Sequence, residues 1–330
     1  MSMPQVDYFS SKHLDDIPIF KAYEACRLCP KQCGVNRLKG ERGACGMIAQ
    51  VRLARASLHM WEEPSISGCQ GSGTLFFSGC NLSCVYCQNR TISQQGWGQE
   101  LSLEDLVRVM LKLQALGAAN INLVTGLHFI PHIRAAILAA KARGLLIPIV
   151  YNSSGYEAVP ALRALNGLID IYLPDFRYWE DTTARKYSQA PRYREIAQAA
   201  LAEMFRQVGP CQFKEGKPDP ESPALLSKGL VCRQLLLPGQ LDQAKAITHY
   251  LYTHYGDQIY LSLMSQYTPL SGLELYPELQ STVDPKDYED WLDYAQGLGV
   301  ENAYIQEGAA ASESFIPDFA SWSLEDFLAS

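Results

Sequence analysis

Three cysteines stand at positions 80, 84 and 87 in the stretch FFSGCNLSCVYCQNR, residues 76–90, with Tyr86 just before the last. This C-x3-C-x2-C loop supplies one thiolate fewer than a closed tetrahedral site takes. Three thiolates in one short loop suit a cubane iron-sulfur cluster whose fourth iron has no protein ligand, and an open metal position means an exogenous ligand and chemistry. The structural alternative is a zinc knuckle completed by a distant residue.

A second group lies upstream in CRLCPKQCGVNRLKGERGACG, where Cys26, Cys29, Cys33 and Cys45 are spaced by Gly34, Gly40, Gly43 and Gly46 at tight turns. Four thiols in one compact stretch make a closed site, and closed sites are usually structural. Zinc and an auxiliary 4Fe-4S cluster are both compatible with all-thiolate ligation. Of the remaining cysteines, Cys232 sits in an apolar run and reads as a small core residue, Cys211 lies in a loop where it could react, and Cys69 stands apart. His128 and His132 follow a predicted strand, with a proton relay or a capping role open to them. Arg233 either points into the interior toward substrate or pairs with a local acid.

These residues need a scaffold, and from residue 74 short apolar runs alternate with amphipathic stretches, the pattern of repeated βα units around a parallel sheet. Strands are predicted at 73–77, 121–125, 145–151, 168–173, 230–237 and 258–264, six in all, enough for an open or partial barrel. Cys80 to Cys87 directly follow the first of them, at the end where such barrels carry active sites. SLEDLVRVMLKLQALG is the clearest helix: Ser102 caps it with Asp105, Leu106, Met110, Leu113 and Leu116 form one face, and Gly117 ends it. Residues 209–229 carry four prolines and three lysines without a period and read as a long surface loop. The tail 301–330 has six acids and no Lys or Arg; Phe315, Phe319, Trp322 and Phe327 predict that it docks on the barrel. The expected organisation is a small four-cysteine metal-binding element over 1–60, a core over 61–300 and the docked tail.

The chain has 330 residues, 47% hydrophobic, enough for one large α/β domain and a small appendage without disulfide staples. The first twenty residues resemble neither a secretory signal nor a transit peptide, and no apolar stretch approaches a membrane span. The ten cysteines are therefore expected in a reducing cytoplasm, where thiol clusters bind metal or do redox chemistry more often than they pair. A net charge of -7 offers a polyanion no general attraction, so neither nucleic acid nor membrane is an expected partner.

CNLSCVYCQNR resembles the cluster loop of pyruvate formate-lyase activating enzymes in the radical S-adenosylmethionine (SAM) superfamily. The course from about 60 to 306, including EEPSISGCQGSGTLFFSGC, PIVYNSSGY, IYLPDFRY and LLLPG, is similar to the PflX-like branch. The resemblance covers roughly three quarters of the chain. It implies a partial (β/α)6 barrel, a 4Fe-4S cluster on Cys80, Cys84 and Cys87, and SAM chelating the fourth iron. Reductive cleavage of SAM then yields a 5'-deoxyadenosyl radical that abstracts hydrogen from a substrate.

Carried over by position, Tyr86 matches an aromatic near the adenine. Thr125 and Gly126 take the place of the family's Gly-Gly-Glu segment, Asn152 and Ser154 that of a ribose-binding turn, and Asp175 and Arg177 that of an Asp-x-Lys pair. The implied partners are an electron donor such as flavodoxin or ferredoxin and, for glycyl-radical activation, a protein substrate. Radical modification of another peptide or small molecule remains open, as does a non-enzymatic iron-sulfur electron-transfer protein. The four-cysteine element precedes the barrel, unlike the ferredoxin-like insertions that follow the cluster loop in some activases.

Overall fold

The alternation becomes one ten-stranded sheet in the computed structural model, which describes residues 18–214, 224–305 and 317–329. Its strands are β1 (Val51–His59), β2 (Ser72–Phe77), β3 (Gln99–Leu101), β4 (Ile121–Val124), β5 (Ile149–Ser153), β6 (Ile171–Pro174), β7 (Gln212–Phe213), β8 (Leu226–Leu235), β9 (Tyr260–Met264) and β10 (Ala303–Ile305). They run in the order β10-β9-β8-β6-β5-β4-β2-β1-β3, with β7 beside β8. Every neighbouring pair from β2 to β10 on this path is parallel, whereas β1 is antiparallel to both β2 and β3. The result is a partly open parallel α/β barrel with the six expected strands, to which β10 adds a further parallel one.

β2, β5 and β6 are buried along their whole length, as strands covered on both faces must be. The helix Leu103–Ala115 starts at a capping box between Ser102 and Asp105 and buries Leu106, Met110 and Leu113. Leu116 departs from the expected face and is 47% exposed. It occupies the C-cap, and the chain then turns away through Gly117 at φ 86°, so the apolar stripe ends at Leu113.

Two further departures concern β1 and the loop. The sequence pattern predicts no element over 51–59, yet Val51 and Leu53 alternate with Arg52 in VRLARASLH, and a register irregularity at Leu53/Arg55 then breaks the period. The expected loop 209–229 is shorter than it reads, since β7 pairs with the start of β8. Residues 215–223 of that loop, and Phe315 of the tail, lie outside the described residues. Phe319 packs edge-on against Phe76, centroids 5.6 Å apart, and Leu324 N donates to Gln99 Oε1 at 2.9 Å.

The N-terminal element is fastened by Arg37, which is buried, donates to the carbonyls of Met47, Ile48 and His128, and lies 4.5 Å from the Tyr23 ring centre. His128 and His132 belong to this seam and not to the active end. His128 Nε2 donates to Ser78 O at 2.8 Å, and Tyr23 Oη bonds His132 Nδ1 at 2.9 Å. Burial, reinforced by the Arg37 charge, pushes both imidazoles down to about 3. Both are neutral groups packed where the helix Ile130–Ala142 and the segment before it meet Phe20, Tyr23 and Arg37.

Candidate functional site

At the C-terminal ends of the parallel strands opens a cavity of about 510 Å³. Cys80, Cys84 and Cys87 line one wall, Thr125 and the Asn152–Ser154 turn another, and Asp175, Arg177 and Arg233 the floor. Each element reaches it for a local reason. The cysteine loop leaves β2 at the barrel mouth, the 152–154 turn ends β5, and Asp175 and Arg177 follow β6.

Each of the three sulfurs meets a polar hydrogen. Leu82 N donates to Cys80 Sγ at 3.4 Å, Ser188 Oγ to Cys84 Sγ at 2.9 Å, and Ser93 Oγ lies 3.2 Å from Cys87 Sγ. Arg177 Nη1 lies 3.8 Å from Cys84 Sγ and places a cation beside the loop. Such contacts stabilise thiolates and tune what they bind. Among the described residues no three His, Cys, Asp or Glu side chains converge as one metal ion requires. Three thiolates in one short loop beside an open cavity are a donor set that fits a cubane with one iron left open.

The floor is an ion network. Arg233 Nε donates to Asp175 Oδ1 at 2.9 Å, Nη1 to Glu62 Oε2 at 3.2 Å and Nη2 to Asn152 Oδ1 at 2.6 Å. Arg177 donates to the other Asp175 oxygen. Burial alone would raise the Asp175 carboxyl, but Arg233 and Arg177 outweigh it and hold the group below the usual carboxylate range. Burial pushes Glu62 up, opposed mainly by Arg233. Arg177 Nε is buried with no partner among the described residues, a donor left for a bound polar ligand. Thr125 adopts φ 59° with its amide on Asn152 O, a strained geometry that fits a functional turn. Gly155 cannot carry a side chain, since a Cβ there would collide with Asp175 O.

Of the residues expected to hold a cofactor, Thr125, Asn152, Ser154, Asp175 and Arg177 meet at this cavity. Tyr86 and Gly126 are not among its lining residues. The Tyr86 hydroxyl bonds Tyr178 and its ring packs against Tyr267, because an aromatic on this loop finds more apolar contact inward than in the polar cavity. Gly126 instead lies against Ile133 and Phe77. Glu62 escapes the sequence reading. It comes from the segment after β1 and reaches the floor against Asn122 and Arg233, and its only signal is a buried acid pair, Glu62–Glu63, beside a strand end. Arg233 does point inward, and it pairs with acids while doing so.

The four upstream cysteines come from two facing turns. Ala44 N donates to Cys33 Sγ at 3.2 Å, and a Cβ on Gly43 would lie 2.9 Å from that sulfur. Burial pushes the Cys29 thiol up to about 12, and Gly34 N on Cys26 O with Ala44 N on Cys33 Sγ ties the two turns together. Burial also pushes Cys211 up, to about 11, so its thiol stays protonated and unreactive near neutrality.

Residues 74–206 match the family model described as Radical SAM superfamily. Over this segment the chain resembles a radical SAM domain. The superfamily uses a 4Fe-4S cluster and SAM, and the matched span begins in β2 and contains the cysteine loop. An uncharacterized protein of Methanocaldococcus jannaschii is 24% identical over 289 residues, covering 86% of this chain and 77% of its own length. Among solved structures, Streptococcus suis SuiB bound to S-adenosylmethionine is 11% identical, with 70% of this chain and 49% of that one covered at a TM-score of 0.47. A domain of pyruvate-formate lyase-activating enzyme from Bacteroides vulgatus is 10% identical, covering 54% of this chain and 91% of that one at a TM-score of 0.36. The chain spans about half the length of the SuiB chains it matches.

Proposed function

We propose that the protein is a radical SAM enzyme of the pyruvate formate-lyase activating type, in the PflX-like branch, that abstracts hydrogen from a glycyl-radical enzyme or another polypeptide. The observation that carries this reading is the cavity itself, with three cysteines on one wall facing a polar floor of Asp175, Arg177 and Arg233. Bound together, the cluster and SAM supply a 5'-deoxyadenosyl radical. Cys80, Cys84 and Cys87 would hold the cluster, with Ser188, Ser93 and the Leu82 amide donating to the sulfurs. Arg177 Nε, the unpartnered donor, would meet the anionic end of SAM. Asn152 and Ser154 would meet its ribose hydroxyls, and Arg233 and Glu62 would hold Asp175 and Asn152 in place.

An electron donor of the flavodoxin or ferredoxin class is the expected partner. The reducing cytoplasm is the proposed compartment, since all ten cysteines are free, and no helix among the described residues is long and apolar enough to cross a membrane. Radical modification of a small molecule is the second enzymatic reading, and the polar, enclosed floor favours it where the substrate carries charge.

The deciding experiment is anaerobic iron reconstitution, addition of SAM and a strong reductant, and assay of 5'-deoxyadenosine with and without glycyl-radical enzymes as substrate. 5'-Deoxyadenosine at background with full iron occupancy would leave a plain electron carrier as the reading.

A further inference from the structure

The two cysteine groups touch. Gly79 directly precedes Cys80, and a Cβ there would lie 2.7 Å from Cys45 O and 2.5 Å from Met47 Cγ. The backbone of the upstream group thus lies against the backbone of the cluster loop, in the space that glycine leaves. Lys31 bridges the same seam. It donates to Gln189 O and lies 5.8 Å over the Tyr156 ring. Tyr156 O in turn accepts from Asn81 Nδ2, inside the cluster loop, at 2.7 Å. Within the upstream group Cys33 is exposed, whereas Cys26 and Cys29 are buried.

We propose that Cys26, Cys29, Cys33 and Cys45 hold a second four-iron cluster that passes single electrons from a docked, low-potential carrier protein to the cluster at Cys80, Cys84 and Cys87. The inference rests on the radical SAM reading for its acceptor. One feature favours iron-sulfur over zinc in this all-thiolate set: the group has an edge on the cluster loop, where Cys45 O lies against Gly79, and an exposed ligand in Cys33, which a relay needs and a structural zinc does not. The balance is one electron lost by the reduced carrier and one gained by the cavity cluster. The upstream cluster is reduced and reoxidised in between, and no atom or proton is transferred.

The test uses the full chain, reconstituted anaerobically with iron and sulfide. Metal analysis is expected to find about eight irons per chain, falling to about four in the C80A/C84A/C87A variant. In the reduced parent protein the two spins should broaden each other by dipolar coupling, and the upstream signal should narrow in that variant. With flavodoxin hydroquinone as donor, stopped-flow reduction of the cavity cluster should slow at least tenfold in Cys33→Ala, while reduction by the small reagent dithionite stays within twofold. Stoichiometric zinc upstream, uncoupled spectra, or an unchanged flavodoxin rate would each overturn the relay. The coupling measurement needs no upstream variant, so it decides even if Cys33→Ala folds poorly. A cavity-cluster signal that ignores SAM would sink the radical SAM reading instead, and would leave the two-cluster count standing.

Discussion

The two cysteine groups set the same side chain in opposite surroundings. Cys80, Cys84 and Cys87 face a cavity whose floor is charged and whose Arg177 keeps a donor free; Cys26, Cys29, Cys33 and Cys45 sit on two turns joined by the Ala44 N–Cys33 Sγ contact, with Cys26 and Cys29 buried and Cys33 exposed. Three ligands facing an open cavity invite a reacting molecule, whereas four in one compact element leave only an electron or a structural task. Number and spacing predict that difference, and the surroundings give it a physical cause.

The largest expected effect breaks the comparison at its open end. Replacing Cys80, Cys84 and Cys87 by Ala should abolish SAM-responsive iron and 5'-deoxyadenosine formation, whereas Cys232→Ala, in a buried strand, should leave both intact. SAM cleavage that survives the triple replacement would show that the cavity is not the cluster site.

Next comes the fastening of the closed group. Arg37 is buried, and its guanidinium satisfies three carbonyls. Arg37→Met should cost about 3 kcal/mol or more, because each orphaned buried carbonyl carries a penalty of roughly 1–3 kcal/mol. Limited proteolysis should then cut within residues 24–50 while the barrel stays resistant. Equal resistance in parent and variant would mean that the element is held by other contacts.

A smaller effect probes the cavity floor. Asp175→Asn removes the charge that faces Arg177 and Arg233 and should weaken SAM binding about ten- to a hundredfold, which is about 1.4–2.7 kcal/mol. Because the same change leaves two guanidiniums short of a partner, melting temperature and cluster absorbance must be followed beside calorimetry. Parent-like affinity would reduce Asp175 to a structural ion-pair partner.

Sequence made the open site legible because its ligands are contiguous and follow a strand, so local spacing alone carries the signal. The positions of the six parallel strands followed from the βα rhythm for the same reason. What stayed hidden depends on distant contacts. Glu62 reaches the floor only because β1 pairs with β2 and delivers the next segment there, and β1 is masked by the irregularity between Leu53 and Arg55. His128 and His132 follow a strand end as active-site residues do, and only the fold turns them toward Arg37 and Tyr23. Tyr86 shows the same limit, because a loop aromatic beside a cysteine can face cavity or core, and the choice belongs to Tyr178 and Tyr267.

The seam and the floor should also part company in acid. In the unfolded chain His128 and His132 titrate near 6.5, while in the folded protein burial and Arg37 hold both near 3. Below 6.5 the unfolded state therefore binds protons that the folded state refuses, and each histidine removes about 1.4 kcal/mol of stability per pH unit until its folded value is reached. The stabilisation is fully present above pH 6.5 and is lost as the pH falls toward 3. His128 has no second partner to welcome a proton, since its Nδ1 is buried and unbonded among the described residues. Among the described residues His132 meets the Tyr23 hydroxyl and the Phe20 and Phe129 rings, and Arg37 is the charge that bears on it. On the floor, Asp175 is held below its usual value, so its ion pairs persist through the same range. Hydrogen exchange between pH 7.5 and 5 should thus show residues 20–50 losing protection before the strands around Asp175. Replacing His132 by Gln should roughly halve the slope of stability against pH below 6.5. Equal loss of protection in the two regions would mean that acid acts on the whole fold and not on this seam.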